Sequence, residues 1–137
     1  MQQLRLLQEA GYQAARTTEL LSTQFPRRVN GLTVIPTSVQ VFPHSPFAYA
    51  KNTIKRLSLQ NLFGTGSWFS GRDWLKLAQN LLERTLSHGG AFHLWGHSWE
   101  IEQEHQWDRL EALLALIATS KDRLVSVTNS ELCAYAA

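Results

Sequence analysis

A single cysteine, Cys133, excludes an internal disulfide and a cysteine-rich zinc site, and it fits a reducing compartment. No apolar run approaches the roughly 20 residues that a membrane span needs. The N-terminal MQQLRLLQEAGYQ has no apolar signal core either. The chain as it stands therefore reads as unexported and without a membrane span, with a cytoplasmic location. Charge of one sign is also scarce. The formal net charge is +2, and the densest basic clusters are only Arg27-Arg28 and Lys51, Lys55 and Arg56. A nucleic-acid partner calls for a concentrated basic face, so none is expected. Low-complexity tracts, internal repeats and linkers are missing, which leaves one domain. What remains is ordinary globular material, with 44% hydrophobic and 18% charged residues placing it outside the disordered class.

Periodicity gives the elements. Leu4 and Leu7 mark one face of a short helix that ends at Gly11. A strand is predicted over residues 12–18 (YQAARTT), a loop over 18–31, and a second strand over 33–42, with Pro36 at its start or at a bulge. Pro43-His44-Ser45-Pro46 forms a turn, and Phe47, Ala50, Ile54 and Leu57 give a helical stripe. After a Gly/Ser loop over 61–71, Ser70 and Asp73 resemble a capping box for a strong helix. Its stripe is Trp74, Leu77, Ala78, Leu81, Leu82 and Leu86, ending at Gly89-Gly90. A strand over 91–98 follows, then a helix with Trp107, Leu110, Leu114 and Ile117 on its buried face. A short strand over 124–128 precedes a final turn capped by Asn129 or Ser130. Such alternation predicts an α/β fold with a parallel sheet or barrel and helices outside.

The densest chemistry lies in residues 89–102 (GGAFHLWGHSWEIE). On an extended strand, Phe92, Leu94 and Gly96 share one face, and His93, Trp95, His97 and Trp99 share the other. The plain reading of the second face is packing, but packing alone has little reason to prefer imidazole over Leu or Val. His93-x3-His97 with Glu100 has metal-ligand residue types, yet i and i+4 on a strand lie ~13 Å apart unless it breaks at Gly96. A lone histidine near neutral pKa suits general acid or base work. Tryptophans beside it offer flat apolar faces for sugar rings. Trp74 and Trp107 fall on core stripes, which leaves Trp68, Trp95 and Trp99 for substrate contact.

HLWGHSWEIE followed by QWDRLEALL resembles the closing region of bacterial polysaccharide deacetylases, the NodB-homology family. That family's last motif is a strand ending in hydrophobic-x-His, and Trp95-Gly96-His97 takes its place here. EAGYQAARTT (residues 9–18), SVQVFPH (38–44) and VTNSEL (127–132) are similar to a subgroup of the same family, so the likeness runs along nearly the whole chain. The resemblance implies a metal-dependent hydrolase that removes acetyl groups from a polysaccharide or other sugar substrate. A divalent metal, usually zinc, would be held by one Asp and two His, with a second Asp as base. His97 would protonate the leaving group, Arg16 would orient the catalytic Asp, and His44 would face the same cleft.

The family's metal motifs, an Asp-Asp strand end and a His-x3-His loop, have no counterpart. No Asp precedes Asp73, and His93/His97 belongs to the closing motif. Residues 1–137 are therefore expected to be the C-terminal portion of a distorted (β/α) barrel of the deacetylase type, starting at an internal Met. The metal-binding N-terminal half would be absent, or supplied as a separate partner. The expected function is a deacetylase fragment that binds no metal and is inactive alone. The alternative is a non-catalytic carbohydrate-binding or accessory domain. A missing half would carry any targeting signal with it, leaving location open.

Overall fold

The computed structural model describes residues 2–18, 20–42 and 73–136. The expected turn and helix after Phe42, the Gly/Ser loop, and the site candidates His44 and Trp68 lie outside the described residues. The chain mixes helices with small sheets, compatible with an α/β class.

Helix α1 (Gln2–Glu9) closes as its sequence predicts. The Tyr12 N–H reaches the Leu7 carbonyl and the Gly11 N–H reaches the Gln8 carbonyl, each at 3.0 Å, with Gly11 at φ +84°. That pair of bonds satisfies the last carbonyls of the helix, and glycine takes the left-handed position without a Cβ clash. Strand β1 (Ala14–Arg16) follows, shorter than the expected 12–18.

The expected loop over 18–31 contains a strand. β2 (Arg27–Val29) turns through Asn30 and Gly31 into β3 (Leu32–Ile35) as a two-residue hairpin. Asn30 at φ +52° and Gly31 at φ +85° place both central residues in the left-handed region, where the turn twist matches that of paired strands. β3 is central, with β1 parallel on one side and β2 antiparallel on the other. All four of its residues are buried.

The strand expected over 33–42 is two strands. Pro36 has no N–H to give a ladder, and the chain bends through Thr37 and Ser38 before β4 (Val39–Gln40) starts a second sheet. The bend is held by polar contacts. Thr37 Oγ1 donates to the Thr17 carbonyl at 2.8 Å, and Ser38 Oγ donates to the Ser22 carbonyl at 2.6 Å. β4 then pairs in parallel with β5 (Leu94–Trp95), matching Val39 to Leu94 and Gln40 to Trp95.

Helix α2 (Trp74–His88) is capped by Asp73, whose side chain accepts the Lys76 N–H. Its fully buried positions are Trp74, Ala78, Leu81, Leu82 and Thr85. The predicted Leu77 and Leu86 are partly buried beside them. This stripe packs with Val39 of the second sheet, Val41 just beyond it, Ile101 and Leu113 to form the main core. Each such side chain contributes about 1.5–3 kcal/mol by leaving water. The Trp74 indole N–H donates to Gln106 Oε1 at 2.8 Å, so its polar edge is satisfied.

Two further helices, α3 (Ser98–Gln103) and α4 (Trp107–Thr119), complete this side. The expected buried face of α4 is corrected. Leu113 is its buried residue, flanked by Leu110 and Ile117, whereas Trp107 and Leu114 are 45% and 51% exposed. Trp107 lies over the preceding helix, where its indole N–H donates to Glu102. The strand expected over 124–128 is also corrected: those residues join no ladder among the described residues. The helical turn α5 (Asn129–Leu132) is capped by Thr128, with Glu131 closing a reciprocal capping box, rather than by Asn129 or Ser130. Among the described residues no helix is long and apolar enough to cross a membrane.

Candidate functional site

The expected strand over 91–98 is short, and that changes how its side chains are displayed. Only Leu94 and Trp95 pair with β4; Gly96 and His97 leave the sheet, and Ser98 begins α3. Gly96 sits at the point of departure, packed against Val41. A Cβ there would meet the Val41 Cβ at 3.0 Å and the Ile101 Cδ1 at 3.5 Å. Ile101 is buried in the core, so α3 is anchored by that side chain while its first turn faces outward. Gln40, buried at the end of β4, adds a second tether by donating to Glu100 at 3.2 Å.

The consequence is a ladder of three rings. The His97 imidazole meets the Trp95 indole edge-on, with centroids 4.9 Å apart, and stacks on the Trp99 indole at 5.5 Å with an interplanar angle of 18°. His97 occupies the N-cap position of α3 in an extended conformation, yet its side chain makes no cap hydrogen bond. Its ring nitrogens are therefore not consumed by helix capping. Trp99 is 58% exposed and Trp95 half-buried, so the ladder runs from the sheet edge into solvent. Trp95, His97 and Trp99 are thus brought together, on a strand end and a helix start rather than along one strand.

His93 parts company with them. Its backbone is pinned to the bend: its N–H donates to Ser38 Oγ at 2.9 Å, and its carbonyl accepts from Ser38 and Val39. Its side chain is half-buried near Arg16, and burial first, then the Arg16 charge, pushes its pKa down to about 4. Arg16 donates to the Pro36 carbonyl at 2.7 Å and to Asn129 Oδ1, which joins the end of β1 to α5. Burial also lowers the Arg16 pKa, against a raising influence from Cys133. No described carboxylate pairs with Arg16. Its expected role of orienting an Asp therefore finds no such partner among the described residues.

From sequence, His93 reads as a packing residue or a metal ligand, and Asn129 as a helix cap. Their meeting with Arg16 is made by tertiary contacts between residues distant in the chain, Asn129 being 113 residues from Arg16, and no local pattern signals it. Among the described residues, no group of three His, Cys, Asp or Glu side chains could hold a metal ion. The rings around His97 are indoles, which are not ligands for zinc. The described residues therefore do not fit a resident metal.

No protein-family model matches the chain, and no curated protein or solved structure matches it.

Proposed function

We propose that this chain carries the sugar-facing, proton-donating part of a carbohydrate deacetylase site, within a fold of the distorted (β/α) barrel type. The carrying observation is the ladder of His97 between Trp95 and Trp99, beside the end of a parallel pair of strands. Sites in α/β proteins gather at the carboxyl ends of parallel strands. An indole face stacks on the apolar face of a pyranose ring, and an imidazole next to it can deliver a proton to a departing amine or alkoxide. The similarity of HLWGHSWEIE to the deacetylase closing motif supports the same assignment for His97. Trp95 and Trp99 would hold the sugar ring.

On this reading the metal and the water-activating carboxylate belong to groups outside the described set, and the chain alone releases no acetate. The test measures acetate release from N-acetylated oligosaccharides with and without zinc, alongside sugar binding. Binding without release is expected. Zinc-dependent release abolished by His97→Ala would overturn the claim that the site is incomplete. A non-catalytic carbohydrate-binding domain is the second reading, favoured by the exposed indole face of Trp99. It predicts that His97→Ala leaves sugar affinity unchanged and that no supplied metal-binding segment restores acetate release.

A further inference from the structure

Arg16 and His93 have hydrogen-bonding capacity that nothing fills. The Arg16 Nε–H is buried without an acceptor, and the His93 Nδ1 is buried without a partner. Both residues are moored to the same bend, Arg16 through the Pro36 carbonyl and His93 through Ser38 and Val39. A part-buried guanidinium ordinarily has a carboxylate opposite it. Here no described carboxylate is bonded to Arg16: Glu9 pairs with Arg5, Asp73 with Arg109, Glu100 with Gln40, and Glu131 with the Thr128 N–H. The position facing the Arg16 fork is taken instead by a neutral amide oxygen, Asn129 Oδ1, on an exposed residue.

We propose that the Arg16–His93 cluster binds a small free carboxylate. One carboxylate oxygen displaces Asn129 Oδ1 from Arg16, and the other accepts from the Arg16 Nε–H or a proton on His93 Nδ1. His93 can donate from Nδ1 as the neutral Nδ1–H tautomer or as the imidazolium, and a carboxylate beside the ring favours the charged form, so binding raises the His93 pKa. The other titratable groups at this place are Cys133, which acts on Arg16, and Glu131, whose carboxylate is occupied by the helix cap. His97, two residues beyond Trp95, faces the indole ladder instead. This inference is independent of the sugar-binding role of His97.

The experiment is an NMR pH titration of the His93 ring in acetate, against chloride at equal ionic strength. Acetate is expected to raise the His93 midpoint by a unit or more. Arg16→Gln should abolish the shift, and Arg16→Lys should retain a weakened one. Asn129→Asp, which supplies a carboxylate in place, should raise the midpoint without acetate and blunt the response to it. An unchanged His93 midpoint in acetate, or equal shifts in acetate and chloride, would overturn the proposal. So would an acetate response that survives Arg16→Gln unaltered.

Discussion

At the scale of single residues, the two histidines of the HLWGH segment have opposite environments. His97 is exposed and held between indole rings. His93 is half-buried beside a cation, with its pKa pushed down to about 4. The sign of the pH effect follows from comparing its two states. The unfolded chain takes up a proton on His93 near 6.5, and the folded chain only near 4. The unfolded state therefore binds more protons in this window. The stability from keeping His93 neutral is complete above about pH 6.5 and is lost as pH falls toward 4. For a half-buried, solvent-screened group, we expect a loss of about 1 kcal/mol. His93→Gln cannot take up that proton, so denaturant unfolding across this range should show a flatter profile for the variant. An identical slope in the two proteins would count against the buried neutral state. Trp99, by contrast, contributes surface. Trp99→Ala should leave stability within about 0.5 kcal/mol and weaken sugar binding about fivefold or more through lost stacking, measured by calorimetry.

At the scale of elements, Gly96 marks the point where the ring ladder leaves the sheet. Gly96→Ala drives a methyl against Val41 and Ile101, and should cost about 1–3 kcal/mol in unfolding free energy. It should also displace the His97 and Trp99 ring resonances relative to each other. Helix α4 offers a paired test of its orientation. Leu113→Ala removes a fully buried side chain and should cost about 2–5 kcal/mol, whereas Leu114→Ala, half exposed, should cost under about 1 kcal/mol by thermal unfolding. A reversed order would restore the face predicted from periodicity.

Which elements were legible follows a simple physical division. Helix α2 is legible because its long apolar stripe agrees with its packing, although Asp73 is itself the N-cap and not the third helical residue of a box opened by Ser70. The α4 face was misread because Leu110, Leu113, Leu114 and Ile117 make an apolar arc wider than the surface the core covers. β2 was missed although Asn30-Gly31 is a strong hairpin signal, since Arg27-Arg28 gives it little strand character. The strand expected over 91–98 was overextended because His97 and Trp99 keep strand-like alternation in sequence while α3 begins at Ser98. The three rings nevertheless touch, because an extended His97 followed by a helix turn keeps them on one side. The ring ladder was thus legible by residue type and the Arg16–His93 cluster was not, since its contacts are made by tertiary pairing alone.

At the scale of the whole molecule, β4 and β5 form a parallel pair that carries the ladder at its end, and α2, α3 and α4 cover it with one main core. Residues 124–128, rich in β-branched side chains, meet no strand among the described residues, and Val125 is 79% exposed. Sugar binding at the ladder is tested most directly by reading each ring separately. Titration of isotopically labelled protein with an N-acetylated oligosaccharide, followed through the tryptophan indole and histidine ring signals, provides this. The account predicts that Trp95, His97 and Trp99 shift together and saturate at one ligand concentration, while the buried Trp74 signal stays fixed. Unmoved ladder signals in saturating sugar, or shifts confined to Trp74 or Trp107, would contradict it.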